Sequence, residues 1–96
     1  MTWMAKIGDR VGAVLRTTPT EVYLIGYGTF MGHEVPPTGM LHDHKIPNPK
    51  IQLDNGKVVW GYQCWWGPAK HVAEMVGKRI IKRVDADTLE EEDGNG

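Results

Sequence analysis

The stretch Lys50-Ile51-Gln52-Leu53-Asp54-Asn55-Gly56-Lys57-Val58-Val59-Trp60-Gly61-Tyr62-Gln63-Cys64-Trp65-Trp66 decides the fold. Two apolar, β-branched runs flank Asn55-Gly56, the pair preferred where both central residues of a type I′ turn take positive φ. A two-residue turn fixes the register. Leu53 then opposes Val58, Gln52 opposes Val59 and Ile51 opposes Trp60. Period-two geometry puts Ile51, Leu53, Val58, Trp60, Tyr62, Cys64 and Trp66 on the core face. Lys50, Gln52, Val59, Gly61, Gln63 and Trp65 take the other. The two neighbouring indoles, Trp65 and Trp66, therefore point in opposite directions.

Upstream, Val11 to Arg16 reads as a first strand and Thr17 to Thr20 as its turn. Glu21 to Met31 reads as a second strand, where Gly26 and Gly28 mark a bulge or a close backbone approach. Gly32 to Pro49 carries Pro36, Pro37, Pro47 and Pro49, which forbid a long helix or a central strand, so a loop is expected. Downstream, Gly67-Pro68 ends the strand and opens a helix over Ala69 to Val76, with Ala69, Val72, Ala73, Met75 and Val76 as its apolar stripe. Gly77 terminates it, and Arg79 to Val84 closes the sheet. The expected class is α+β: a small, strongly bent antiparallel sheet or SH3-like half-barrel of about four strands with one short helix. Residues 1–88 form the single domain; residues 89–96 read as a disordered acidic tail.

Composition narrows the function. The 96 residues carry a net charge of −1, which disfavours nucleic acid and anionic lipid as partners. No apolar run reaches the length of a membrane span, and the opening residues lack the apolar core of a secretion signal, so the cytoplasm is the expected location. The lone Cys64 excludes an internal disulfide. There is no serine nucleophile, and an inward Cys64 stays protonated. Neither a Walker loop nor a dinucleotide fingerprint occurs, and nothing calls for a cofactor. His42-Asp43-His44 is the one constellation suggesting a metal or acid–base chemistry. On an extended segment, His42 and His44 would point to one side, where His33 or Glu34 could join them. Loop histidines are mostly solvent-exposed, so no metal is assigned.

Four tryptophans among eight aromatic residues turn attention to binding. An outward Trp65, or Tyr27 between its two glycines, would stack a planar ligand. Lys50, Arg79 or Arg83 would contact phosphate, and His33, Glu34, Asn48 and Gln63 would add polar contacts. For the cluster Lys78, Arg79, Lys82 and Arg83, protection of an edge strand is the plainer reading.

The stretches Gly26 to Pro37 and Asn48 to Pro68 resemble a family of short, uncharacterised proteins of tailed phages and prophages. The segment Val58-Val59-Trp60-Gly61 with Cys64-Trp65-Trp66-Gly67-Pro68 is its most distinctive part. The resemblance implies an accessory protein made in an infected bacterium, where such proteins disable host defence. By that analogy the expectation is a non-enzymatic, homo-oligomeric binder that sequesters a small nucleotide-derived ligand. A protein–protein inhibitor of a host defence protein is the alternative, and a phosphodiesterase using His42 and His44 a third.

Overall fold

A computed structural model describes residues 3–92. Strands β1 (Arg10–Thr17) and β2 (Glu21–Glu34) form an antiparallel pair. A short helix, α1 (Gly39–Asp43), leads to β3 (Asn48–Leu53) and β4 (Val58–Trp60). A 3-10 turn (Gly61–Gln63) separates these from β5 (Trp65–Pro68), α2 (Ala69–Val76) and β6 (Ile80–Arg83). The sheet is open and six-stranded, in the order β4-β3-β2-β1-β5, with β6 joined to β2. It is mostly antiparallel, but β6 runs parallel to β2, from Glu21 opposite Ile80 to Leu24 opposite Arg83. Two more strands are present than the four expected from sequence.

The turn at Asn55-Gly56 also departs from the expected type I′ form. Asn55 keeps a negative φ and only Gly56 is left-handed, at +88°. The Gly56 N–H reaches the Leu53 carbonyl (2.9 Å), and the Leu53 N–H reaches the Lys57 carbonyl (2.8 Å). The loop is therefore three residues long, a turn followed by a left-handed glycine. Asn55 Oδ1 accepts from the Lys57 N–H (2.9 Å) and holds this form in place of type I′. One extra loop residue shifts the register: Gln52 opposes Val58, Ile51 opposes Val59 and Lys50 opposes Trp60. In β4 every side chain changes face. Val59, expected outside, is fully buried, whereas Val58 and Trp60 are only half-buried.

The 3-10 turn then resets the pleat, because β5 pairs with β1 rather than continuing the hairpin. Trp66 packs on the core and stacks on Phe30, with ring centroids 5.3 Å apart and planes 11° apart. Trp3 meets Trp66 edge-on at 5.6 Å. Trp65 is outward, as expected, at 45 % exposure.

Two apolar layers sandwich the sheet. Val11, Ala13, Ile25, Phe30, Ile51, Leu53 and Val59 form one, closed by Val84 and Ala86. Val14, Val22, Leu24 and Val72 form the other, beneath α2. The helix has the residues expected, and its Lys70, His71 and Glu74 face water, but Ala73 is exposed with them. Past β6 the chain turns back. Asp85 N–H bonds to the Glu90 carbonyl (2.9 Å), Glu92 N–H bonds to the Arg83 carbonyl (2.8 Å), and Leu89 packs against the first layer. Of the tail expected from residue 89, residues 93–96 lie outside the described residues.

The loop expected over Gly32 to Pro49 is shorter than its sequence suggests. Strand β2 runs on to Glu34 and β3 begins at Asn48, with α1 between them. The prolines still do what their chemistry requires, since the helix is only five residues long.

Candidate functional site

The residues singled out from sequence do not gather in one place. His33, Glu34, Asn48, Lys50 and Gln63 gather where β2, β3 and the 3-10 turn meet. Glu34 pairs with Asn48 in the ladder, and His33 pairs with Pro49. Most of their polar atoms serve the fold. Lys50 Nζ lies 3.4 Å from Glu34 Oε1, so the cation beside Trp60 is balanced by a carboxylate. Asn48 Oδ1 accepts from the Tyr62 N–H (2.9 Å). Gln63 Oε1 accepts from the Trp60 N–H (2.9 Å). In β4, Val59 faces β3, so the Trp60 N–H points off the sheet. Gln63 thus caps an open edge. Gln63→Ala is expected to lower stability by about 1 kcal/mol in chemical denaturation, and an unchanged midpoint would contradict this role. His33 is exposed, its ring edge-on to Phe30 at 5.6 Å.

Arg79 is built into a joint. Its Nε donates to the Thr18 carbonyl (3.0 Å) and its Nη1 to the Met75 carbonyl. The guanidinium thereby ties the β1–β2 turn to the C-terminal end of α2, where a cation also suits the helix dipole.

His42 and His44 do not converge. They lie on and just after α1, where positions i and i+2 are roughly 200° apart around the axis rather than on one side. His42 Nδ1 donates to the Pro36 carbonyl at 3.1 Å. Among the described residues, no group of three His, Cys, Asp or Glu side chains is placed to hold a metal ion.

Cys64 is packed against the first layer, and its Sγ donates to the Trp60 carbonyl at 3.6 Å. Burial pushes its pKa from the ordinary 9.0 up to about 12. A raised folded-state value means that the proton is held more tightly in the native chain. The stability it contributes is complete below pH 9.0 and is lost as pH rises toward about 12. A thiol reagent at neutral pH is expected to modify Cys64 only on unfolding, so rapid labelling of the native protein would contradict the burial.

Trp65 lies along β5 with its ring over Gly67 and beside His71 of α2 (5.9 Å). An open groove of about 260 Å³ runs from it past Val14, Thr17 and Met75. Arg16 also lines this groove, and its guanidinium is stacked 3.9 Å over the Tyr23 ring. The groove can take a flat apolar group.

Tyr27 and Arg83 share a cleft of about 220 Å³ with Ile25, Gly26, Leu53, Asp54 and Asn55. The topology explains the opening. On one side of β2, β6 pairs only as far as Leu24, and β3 begins at Gly28. Three residues of β2, Ile25 to Tyr27, are left between the two partners. Gly26, at φ +152°, sits at the bulge where the register with β1 shifts. Arg83 pairs with Leu24, which belongs to the layer under α2, and Tyr27 packs on that same layer. Both side chains therefore rise from one face of the sheet. Arg83 has no carboxylate within ion-pair distance among the described residues. Asp54, across the cleft, is engaged by Arg10 in a two-point pair of 2.7 and 2.9 Å. The hydrogen bonds from Arg10 hold its carboxyl below the usual carboxylate range.

Sequence reasoning could name Tyr27 and Arg83 but not their meeting, which depends on the parallel placement of β6. It missed Asp54 and Asn55 as walls and Arg10 as the group neutralising one of them. The chain matches no family model, no curated protein and no solved structure. No helix among the described residues is long and apolar enough to cross a membrane.

Proposed function

We propose that the protein captures a small nucleotide-derived ligand and holds it without turning it over, with the Tyr27–Arg83 cleft as the point of first contact. The single observation that supports this reading is that an aromatic ring and a guanidinium with no ion-pair partner among the described residues share one opening. Base stacking and phosphate pairing need that combination. At about 220 Å³ the cleft is below the usual range of ligand pockets, so the rest of the ligand rests on the surface or against a second copy of the chain. A homo-oligomer is accordingly part of the reading. The resemblance to short phage proteins supports a role inside an infected bacterium, where sequestering a nucleotide signal would blunt host defence.

Calorimetry against mononucleotides, cyclic nucleotides and ADP-ribose derivatives tests the reading. At least one should bind and be recovered intact after the protein is denatured. Tyr27→Leu keeps the packing under α2 but removes the stacking ring. It should weaken binding about tenfold, given 1–3 kcal/mol per stacked base. Silence across the panel would end the reading, and a changed ligand would replace it with an enzymatic one. The groove beside the exposed Trp65 favours a second reading, in which that indole docks on a host protein. A stoichiometric protein partner lost in Trp65→Ala, together with a silent nucleotide panel, would select it.

A further inference from the structure

We propose that the gap in the β2 ladder is an oxyanion seat, in which the Tyr27 backbone N–H and the Arg83 guanidinium hold a single phosphate group. This rests on the Tyr27–Arg83 cleft being a ligand site and deepens it by naming the group that anchors the ligand. The orientation of the amide follows from the hydrogen-bond pattern. Phe30 N–H bonds to the Asp9 carbonyl on the β1 side (2.9 Å). Residues at even spacing from Phe30, namely Gly28 and Gly26, face that side too. Tyr27 faces the other way, as its carbonyl shows by accepting from the Asp54 N–H (3.0 Å).

In a complete antiparallel pair, Tyr27 would also donate to the Asp54 carbonyl. That return bond is not made, so the pair is half-closed. On the other flank, β6 ends its pairing when the Val84 N–H reaches the Leu24 carbonyl (3.0 Å). The Tyr27 N–H therefore points into the opening between the two partner strands. An N–H without an acceptor is costly to shield from water, and an anion is the ligand that suits it best. Gly26 next to it carries no Cβ, so nothing on that residue hinders an approach to the backbone.

Charge fits the same conclusion. Arg83 supplies a forked donor, and the one carboxylate on the wall, Asp54, is already matched by Arg10. The neighbouring acid Asp85 is likewise engaged. Its Oδ1 accepts from the Asp87 N–H (2.7 Å), and its Oδ2 lies 3.4 Å from Lys57 Nζ. The opening thus presents donors, with its acceptors engaged elsewhere. A terminal phosphate or phosphate monoester matches that pattern, whereas a neutral nucleoside would leave it unused.

Backbone-resolved NMR titration with inorganic phosphate tests the seat. The Tyr27 amide resonance should shift and saturate. In Arg83→Gln the apparent affinity should fall about tenfold, as expected for loss of a charged hydrogen bond. Lys70→Gln, on the exposed face of α2, should leave the titration unchanged. A flat Tyr27 resonance, or shifts spread over surface lysines and equal in Arg83→Gln, would overturn the proposal. Nucleosides that bind while phosphate leaves Tyr27 untouched would also overturn it, yet leave the cleft as a ligand site. Saturable phosphate binding at Tyr27 with no nucleotide bound would uphold the seat and remove the nucleotide function.

Discussion

Gly28→Ala should lower stability by about 3 kcal/mol or more, the largest effect expected of any single methyl group in this chain. A Cβ at this position would lie 2.2 Å from the Gln52 carbonyl oxygen and 2.7 Å from the Leu53 Cα. Both are backbone atoms of β3, held in register by the pairs Gly28–Leu53 and Thr29–Gln52. A side chain could rotate away; a ladder cannot without breaking its bonds. Relief would require β3 to slide off β2, taking the buried Ile51 and Leu53 out of the core. Gly39→Ala is the informative comparison. Gly39 has φ +87° with nothing within 4 Å of the added carbon. It should cost only the backbone strain, about 1 kcal/mol. Urea denaturation of the two variants measures the difference. Equal midpoints would mean that β2 and β3 are not in the close contact described.

The second large effect lies on the opposite face. Gly12 of β1 sits directly under α2, and a Cβ there would lie 2.8–2.9 Å from three carbons of the Val72 side chain. Val72 is the only residue of the helix that is fully buried, so this contact sets how close α2 comes to the sheet. Gly12→Ala is expected to cost about 2 kcal/mol by overpacking. Here the obstruction is a side chain that can be trimmed. Val72→Ala alone should also cost about 2 kcal/mol through the cavity it leaves. The double variant should be more stable than the sum of the two by about 1 kcal/mol or more, because the new methyl fills the space the old ones left. Strict additivity in a double-mutant cycle would show that the two residues do not meet.

These two glycines mark a limit on what the sequence alone could tell. Gly28 was readable as a close approach, because a glycine inside a strand needs a reason. Which strand approached it was not readable. Gly12 carried no signal, since the helix it receives lies far along the chain. Local chemistry was legible: the α2 boundaries, the stop at Gly77, the buried thiol and the outward Trp65. The register of β3 and β4 was not. Asn55-Gly56 serves both a two-residue and a three-residue turn, and the Asn55 side chain tips the choice through the Lys57 amide. That one residue moved Val59 into the core and Trp60 out of it. Trp65 and Trp66 kept their expected faces because the 3-10 turn restarts the pleat. The candidate site was legible as residue types only. Tyr27 and Arg83 meet through the non-local pairing of β6, whereas Gln63, Asn48 and Arg79 have polar atoms that the backbone itself uses.

The parallel placement of β6 also has a consequence for how the chain assembles. Glu21 to Leu24 must wait for Ile80 to Arg83, 59 positions further along the chain. Pairings of such long sequence separation bring a large loop-closure cost before any bond forms, and they slow folding. During synthesis, the β1–β2 hairpin leaves the ribosome with the Glu21 to Leu24 part of its far edge unpaired until the last strand emerges. Nascent chains halted before residue 80 should therefore be sticky and protease-sensitive, becoming resistant once β6 is free to join.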